Sequence, residues 1–269
     1  MNGPVPDLSI LTVSHGHAEQ LRAALPTWRS RVATELVVID NLGEAAVAAV
    51  VDALAPGATL LRNDRPRGFA ANVNVGIARA RGRYVLLLNP DVRAEAGALD
   101  RLLQFMEAHE QAGIAGPKLL NPDRTLQLSC RRFSTPLLFG LRGLGLEKAL
   151  EHTAAQRRAL MQDWDHAEVR DVDWVLGAAM IVRRRALEEV GPLDEAYYLY
   201  CEDQDWCHRM WTRGWGVYYV PDSIMIHDHR RASADSLFSR WKWVHVQSTL
   251  RMFRKQGLSG QRPVSESRR

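Results

Sequence analysis

The chain has 269 residues, 46% apolar and 25% charged, with a formal net charge of +4. That is an ordinary globular composition with enough apolar residues for a substantial core, which excludes a disordered or fibrous class. No apolar run approaches the roughly 20 residues that span a bilayer, and the N-terminus lacks the regions of a secretion signal, so a cytoplasmic protein is expected.

In chain order, residues 8–13 form a short β-branched run that ends at Ser14-His15-Gly16 and leads into a helix-period stretch to about residue 28. Residues 35–40 repeat the strand with Asp40 at its C-terminal end, followed by an alanine-rich helix over about 44–54. A third strand at 59–62 leads to Arg67-Gly68-Phe69 and a helix through Asn72, Asn74 and Ala78. The fourth strand, 84–88, ends at Asn89-Pro90-Asp91, and a helix over about 95–110 follows. Four βα units in series predict a mostly parallel, Rossmann-like α/β sheet with right-handed crossovers and helices on both faces. Sites on such sheets lie beyond the carboxyl ends of the strands. Ser14, Asp40, Asn41, Arg67, Asn89 and Asp91 therefore fall along one rim. Asp40 alone would fit a helix cap and Asp91 alone a turn; together they point to a ligand site.

Residues 134–171 place Gly140, Gly143 and Gly145 among leucines and then an alanine-rich charged stretch, which reads as a loop plus helix. Residues 172–183 are an apolar strand broken by Gly177, where a missing side chain lets a ligand approach the backbone. A turn at 191–195 precedes Glu202, Asp203 and Asp205, which sit among Tyr197, Tyr198, Tyr200 and Trp206. Carboxylates in apolar company are costly unless paired, hydrogen-bonded or metal-bound, and a raised pKa there makes a general base. The same three acids also suit the first turn of a helix, with Arg209 as an i,i+4 partner of Asp205. Short strands at 216–220 and 224–226 deliver His227 and His229. Cys130, Cys201 and Cys207 are odd in number and lack metal-site spacing, so they read as reduced packing thiols.

Residues 230–269 hold ten Lys/Arg against Asp235 and Glu266, so the basic charge belongs to the tail and the first 229 residues are net negative. Residues 236–255 read as a helix with interleaved basic and aromatic residues. It suits either contact with an anionic membrane surface or packing of Leu237, Trp241 and Val244 on the domain. A charge confined to a tail does not make a nucleic-acid-binding face.

SILTVSHG, LVVIDN, RGFAANVNVGIARARGRYVLLLNPD, VGPLDEAYYLYCEDQDWCHRM and the final histidine, taken together and in this order, resemble the family 2 glycosyltransferases, particularly the bacterial rhamnosyltransferase-like branch. The resemblance covers about residues 8–229. It implies the GT-A fold, with a nucleotide-sugar half over about 1–118, an acceptor half over about 119–229, and residues 230–269 as a basic extension. It further implies metal-dependent, inverting transfer of a sugar from a nucleotide donor. Val13 and Ser14 match the strand end that holds the nucleotide, Asp40 with Asn41 the base-binding acid and its neighbour, and Arg67, Gly68 and Asn72 the segment beside base and diphosphate. Asp91 matches the last acid of the Asp-x-Asp motif that holds Mg²⁺ or Mn²⁺, with Asn89 in place of the first acid and His227 as the further metal ligand. Asp203 matches the catalytic base. Glu202, Asp205, Gly177 and Trp174 are the candidates for contacting or orienting the acceptor, a glycan or lipid-linked sugar. His15-Gly16 replaces the usual Tyr-Asn, and the Gln-x-x-Arg-Trp motif of processive members is absent, which implies transfer of one sugar. The donor expected from the branch is dTDP-rhamnose, with UDP-sugars second. A non-catalytic nucleotide-sugar-binding subunit is the alternative. A nucleotidyltransferase would need a cationic glycine-rich loop after the first strand, which Ser14-His15-Gly16-His17 does not supply.

Overall fold

The computed structural model describes residues 5–133, 153–228, 240–257 and 260–263, together with 135, 136, 138 and 141. Gly140, Gly143, Gly145, His229, Leu237 and the side chain of Trp241 lie outside the described residues.

Strands β1 (Leu8–Ser14), β2 (Thr34–Asp40), β3 (Thr59–Arg62) and β4 (Tyr84–Leu88) pair in parallel in the order β3-β2-β1-β4. The helices between them are α1 (Ala18–Ala24), α2 (Ala45–Leu54) and α3 (Phe69–Arg79). The register aligns Ser14 with Asp40 and Asp40 with Arg62, so the strand ends form the rim expected of four βα units. Beyond β4 the chain adds β5 (Val92–Ala94), α4 (Ala98–Ala108), β6 (Ala112–Leu120), β7 (Leu126–Gln127) and β8 (Cys130–Arg131). After α5 (Ala154–Ala159) come β9 (Arg170–Asp171), β10 (Trp174–Val175), β11 (Ala179–Arg183), α6 (Arg184–Val190), α7 (Glu202–Thr212) and β12 (Gly216–His227). The main path continues β4-β11-β6-β12-β5, with β11 antiparallel to both neighbours and β12 parallel to β6. A final helix, α8 (Arg240–Gln256), packs on α7.

Alternation along the strands builds the core on both faces of the sheet, as a period of two requires. Leu8 and Ile10, with Tyr84, Leu86 and Leu88, face α1, α2 and α4, where they meet Leu21, Val47, Val50, Leu102 and Met106. Leu11, Val85 and Leu87 face the other side and meet Ala70, Val73 and Ile77 of α3 and Trp206, Cys207 and Met210 of α7. Each fully buried leucine is worth about 1.5–3 kcal/mol relative to exposure.

The one apolar strand expected over 172–183 is two strands, β10 and β11, separated by a turn at Leu176-Gly177-Ala178. The strands expected at 216–220 and 224–226 are one, β12, whose pairing to β6 shifts register between Val220 and Ile224. All three cysteines are buried thiols.

Candidate active site

The rim begins with an amide network. Asn63, one residue past β3, donates from Nδ2 to Asn41 Oδ1 at 2.8 Å and to Asn72 Oδ1 at 2.6 Å. Asn41 Oδ1 also accepts from the Arg67 N–H at 2.8 Å, while Asn41 and Asn72 both donate to the Arg67 carbonyl, at 3.0 and 3.2 Å. Asn41 and Asn72 are buried. Both amides therefore fix the Arg67-Gly68 turn, leaving the Arg67 side chain exposed beyond it. Gly68 has no room for a side chain: a Cβ there would lie 2.7 Å from the Tyr198 carbonyl oxygen, and the next N–H, of Phe69, donates to that same oxygen at 2.8 Å. The turn is thereby locked to the loop that leads into Asp203.

Asp40 is fully buried at the end of β2. Its Oδ1 accepts from the Leu42 and Gly43 N–H groups at 3.3 and 3.0 Å, whereas Oδ2 has no hydrogen-bond partner. A buried acceptor without a donor is unfavourable unless a ligand supplies one. Ser14 turns inward, its Oγ accepting from the His17 N–H at 3.2 Å. Val13 lines a shallow crevice with Phe69, Asn89 and Gly177.

The turn at Leu176-Gly177-Ala178 joins the two acidic segments. On one side, the Asn89 N–H donates to the Ala178 carbonyl at 2.8 Å, fixing the start of Asn89-Pro90-Asp91. On the other, the Gly177 N–H donates to Asp203 Oδ2 at 2.9 Å, and the Gln204 N–H donates to Oδ1 at 2.8 Å. Asp203 is half-buried at the first turn of α7. Loss of water raises its pKa above the ordinary carboxylate value, against the opposing pull of those N–H groups and of the Arg131 guanidinium. Burial and the Asp203 charge push Glu202 up to about 8; its Oε2 is buried without a partner. The backbone before this pair is strained, since Tyr200 and Cys201 have φ of 70° and 67°. Non-glycine residues in that region cost about 1–3 kcal/mol each and cluster at functional sites.

Asp91 Oδ1 is buried and has no hydrogen bond, and it lies 3.4 Å from His227 Nε2. The other imidazole nitrogen, Nδ1, is 2.7 Å from Gln127 Oε1. With the proton on Nδ1 donated to Gln127, the Nε2 lone pair faces the carboxylate oxygen, an arrangement that invites a cation between them. A carboxylate oxygen suits Mg²⁺ or Mn²⁺, for which the phosphates of a substrate supply further ligands, and the softer imidazole nitrogen favours Mn²⁺ of the two. His17 lies within electrostatic reach of Asp91, and burial lowers its pKa.

Asp205 and Trp174, both expected on the acceptor side, are engaged within the fold. Asp205 is fully buried, and its carboxylate accepts from Arg209 Nε at 2.9 Å, Lys255 Nζ at 3.0 Å and Gln256 Nε2 at 3.3 Å. It ties α8 to α7 and has no open face for a sugar. Trp174 is 9% exposed, its indole N–H donates to the Arg132 carbonyl at 3.2 Å, and the Arg131 guanidinium lies 5.2 Å from its ring centre. It supports Arg131 and is not an open platform. Tyr198, by contrast, is 40% exposed beside Gly68.

Asn63, Gln127, Arg131 and His17 were not singled out from the sequence. Asn63 follows β3 directly, so the strand-end rule that selects Asp40 and Asn89 reaches it as well. Gln127 carries no local signal: its role exists only because β7 lies against β6, beside β12, which carries His227.

A family model described as glycosyltransferase-like family 2 matches residues 14–245, nearly the whole of the sheet and site just described. The chain belongs to glycosyltransferase family 2. This glycosyltransferase is 27% identical over 240 residues to the N-acetylglucosaminyl-diphospho-decaprenol L-rhamnosyltransferase of Mycobacterium tuberculosis, covering 84% of this chain and 76% of that one. It is 26% identical over 261 residues to rhamnosyltransferase WbbL of Escherichia coli, covering 93% and 94%. Among solved structures, a mannosyltransferase from Pyrobaculum calidifontis in complex with GDP-Man and Mn²⁺ superimposes with a TM-score of 0.62 at 16% identity, covering 96% of this chain and 66% of that one. At that identity the likeness shows the fold, GT-A.

Proposed function

We propose that this glycosyltransferase is an inverting, metal-dependent rhamnosyltransferase. In this reading it moves one sugar from a nucleotide donor, dTDP-rhamnose first and a UDP-sugar second, to a hydroxyl of a glycan or lipid-linked acceptor in surface polysaccharide synthesis. The rhamnosyl assignment is supported by the two named relatives, and the lipid-linked acceptor by the decaprenol carrier in the name of one. The observation that carries the mechanism is the Leu176-Gly177-Ala178 turn, which bonds Asp203 on one side and Asn89 on the other. It links the segment that carries Asp203, whose pKa is raised, to the start of Asn89-Pro90-Asp91, which supports a single site built from both.

Asp203 takes the proton of the acceptor hydroxyl as that oxygen attacks the anomeric carbon and the bond to the nucleoside diphosphate breaks, which inverts the centre. The Gly177 and Gln204 N–H groups hold its two oxygens so that the carboxylate cannot rotate away. Asp40 Oδ2, a buried acceptor, suits the imide N–H of thymine or uracil. Arg67, whose side chain is exposed beyond the fixed turn, is the cation proposed for phosphate oxygens. Asp91 and His227 would hold Mg²⁺ or Mn²⁺, which offsets charge growing on the leaving diphosphate. A lipid-linked acceptor would bring the site to the cytoplasmic face of a membrane.

The test is transfer from dTDP-rhamnose, compared with UDP-sugars, to a polyprenyl-diphosphate-linked N-acetylglucosamine acceptor, with Mn²⁺ and with a chelator. Product formed only with metal supports the reading. Donor binding without transfer to any hydroxyl acceptor would indicate the non-catalytic subunit.

A further inference from the structure

Helix α8 has two faces. The inner one packs on the loop that precedes Asp203: Ser248 Oγ donates to the Leu199 carbonyl at 2.9 Å, His245 lies 4.9 Å from Tyr200 between ring centres, and the fully buried Met252 packs with Tyr197 and Cys201. The outer one presents Trp243, Val246 and Leu250, at 66%, 43% and 52% exposure. Their spacing of i, i+3 and i+7 puts them on one stripe. Eight large hydrophobic residues are exposed among the described residues, and these three are on that single helix face. Scattered exposed apolar residues need no explanation, whereas a stripe of them marks a contact surface.

Charge identifies what the stripe contacts. Arg251 and Arg254 are exposed next to Leu250 on the same helix. The C-terminal 40 residues hold ten basic against two acidic residues, while the remainder of the chain is net negative. A second copy of the chain would have to bring two such basic tails together. An aromatic and aliphatic stripe flanked by arginines is instead the composition of a helix lying in a bilayer interface of anionic lipid.

We propose that the outer face of α8 seats this protein on an anionic membrane surface, with Trp243, Val246 and Leu250 entering the interface and Arg251 and Arg254 meeting lipid phosphates. Because the inner face grips residues 199–201, the bilayer then lies across α8 from the loop that precedes Asp203. The inference is consistent with a lipid-linked acceptor and rests on that reading only for its purpose. Binding to vesicles that contain no acceptor tests the surface by itself, whereas donor-dependent transfer tests the enzyme.

The full-length protein is sedimented with vesicles of phosphatidylcholine alone and of phosphatidylcholine mixed with phosphatidylglycerol, at low and high salt. The expected result is binding to the mixed vesicles that weakens as salt screens the charges. Combining Trp243→Ser with Leu250→Ser, or Arg251→Glu with Arg254→Glu, should lower that binding about tenfold or more. Transfer to a water-soluble acceptor should be unchanged in both variants, which confirms that they fold. Wild-type protein that stays in the supernatant with anionic vesicles at low salt overturns the proposal. So does wild-type-like binding by both variants. A dimer in solution that Trp243→Ser with Leu250→Ser converts to monomer would assign the stripe to a second copy, and overturns it too.

Discussion

Replacing Asp203 with asparagine removes the proton acceptor and keeps the shape of the side chain. In the wild type both carboxylate oxygens accept a backbone N–H, from Gln204 at 2.8 Å and Gly177 at 2.9 Å. Asparagine has a single oxygen, so one of these N–H groups would face an amide NH₂, a loss of about 1–3 kcal/mol. In the other direction, the substitution removes a half-buried charge whose proximity raises the pKa of Glu202. The two effects are of opposite sign, so the variant should melt within about 5 °C of the wild type. Catalysis has no such compensation. Loss of a positioned base lowers the rate roughly 10²–10⁴-fold, which corresponds to about 3–5 kcal/mol of barrier. The assay is the initial rate of nucleoside diphosphate release in the presence of acceptor, with donor affinity measured separately by calorimetry. The reasoning requires kcat to collapse while donor affinity stays near that of the wild type. It is refuted by a folded variant that retains more than about a tenth of the wild-type kcat.

Gln127→Ala removes the group that orients His227; Mn²⁺ affinity, read by titration calorimetry in the presence of nucleoside diphosphate, should fall about 10–100-fold, and an unchanged affinity would mean that His227 is not a ligand. Glu202 has a folded pKa raised from 4.5 to about 8, so the folded state holds more protons than the unfolded one between those values. Stability should therefore fall as pH rises through that window, and Glu202→Gln should flatten the dependence of melting temperature on pH. Asp205→Ala removes the carboxylate shared by Arg209 and Lys255, which keep Asp194 and backbone carbonyls as partners, a loss of about 1–3 kcal/mol in chemical denaturation. A change under 1 kcal/mol would show that the link between α7 and α8 is incidental.

The parts of this fold that are legible in the sequence are those in which local pattern and tertiary role agree. Strand β4 is a run of five apolar residues stopped by Asn89-Pro90, and it is buried on both faces as such a run predicts. Helix α7 begins at Glu202, where the acids favour the positive end of a helix dipole. Strand β6 was not legible. It contains Gly113, Gly116 and Pro117, residues that weaken a strand pattern. The structure uses the two glycines for close packing: a Cβ on Gly113 would lie 2.7 Å from Trp215 Cβ, and one on Gly116 would lie 2.9 Å from Val175 Cβ. Such contacts form between residues far apart in the chain, which no short window contains.

The site divides in the same way. Asp40, Asp91 and Asp203 follow from strand ends and from an acid cluster in apolar company. Asp203 and Asp205 are two positions apart and chemically alike, yet one faces Gly177 and the other is neutralised by Lys255, 50 residues further on. The i,i+4 partner Arg209 of Asp205 is readable from the sequence, whereas the docking of α8 that adds Lys255 and Gln256 is not. Asn41 was readable as a rim residue and Asn72 from the family resemblance, but their work of holding the Arg67-Gly68 turn depends on Asn63 between them.

The proposed function requires a nucleoside diphosphate held through a divalent ion at Asp91 and His227. A thermal shift with dTDP and Mn²⁺ tests it most directly, because a ligand that binds only the folded state raises its stability by about 2.7 kcal/mol at a hundredfold excess over Kd. For a chain of this length that is about 5–10 °C. The predicted result is a rise of this size with dTDP and Mn²⁺ together, lost with a chelator and in Asp91→Ala. An equal rise with dTDP in the chelator, or in Asp91→Ala, would contradict it.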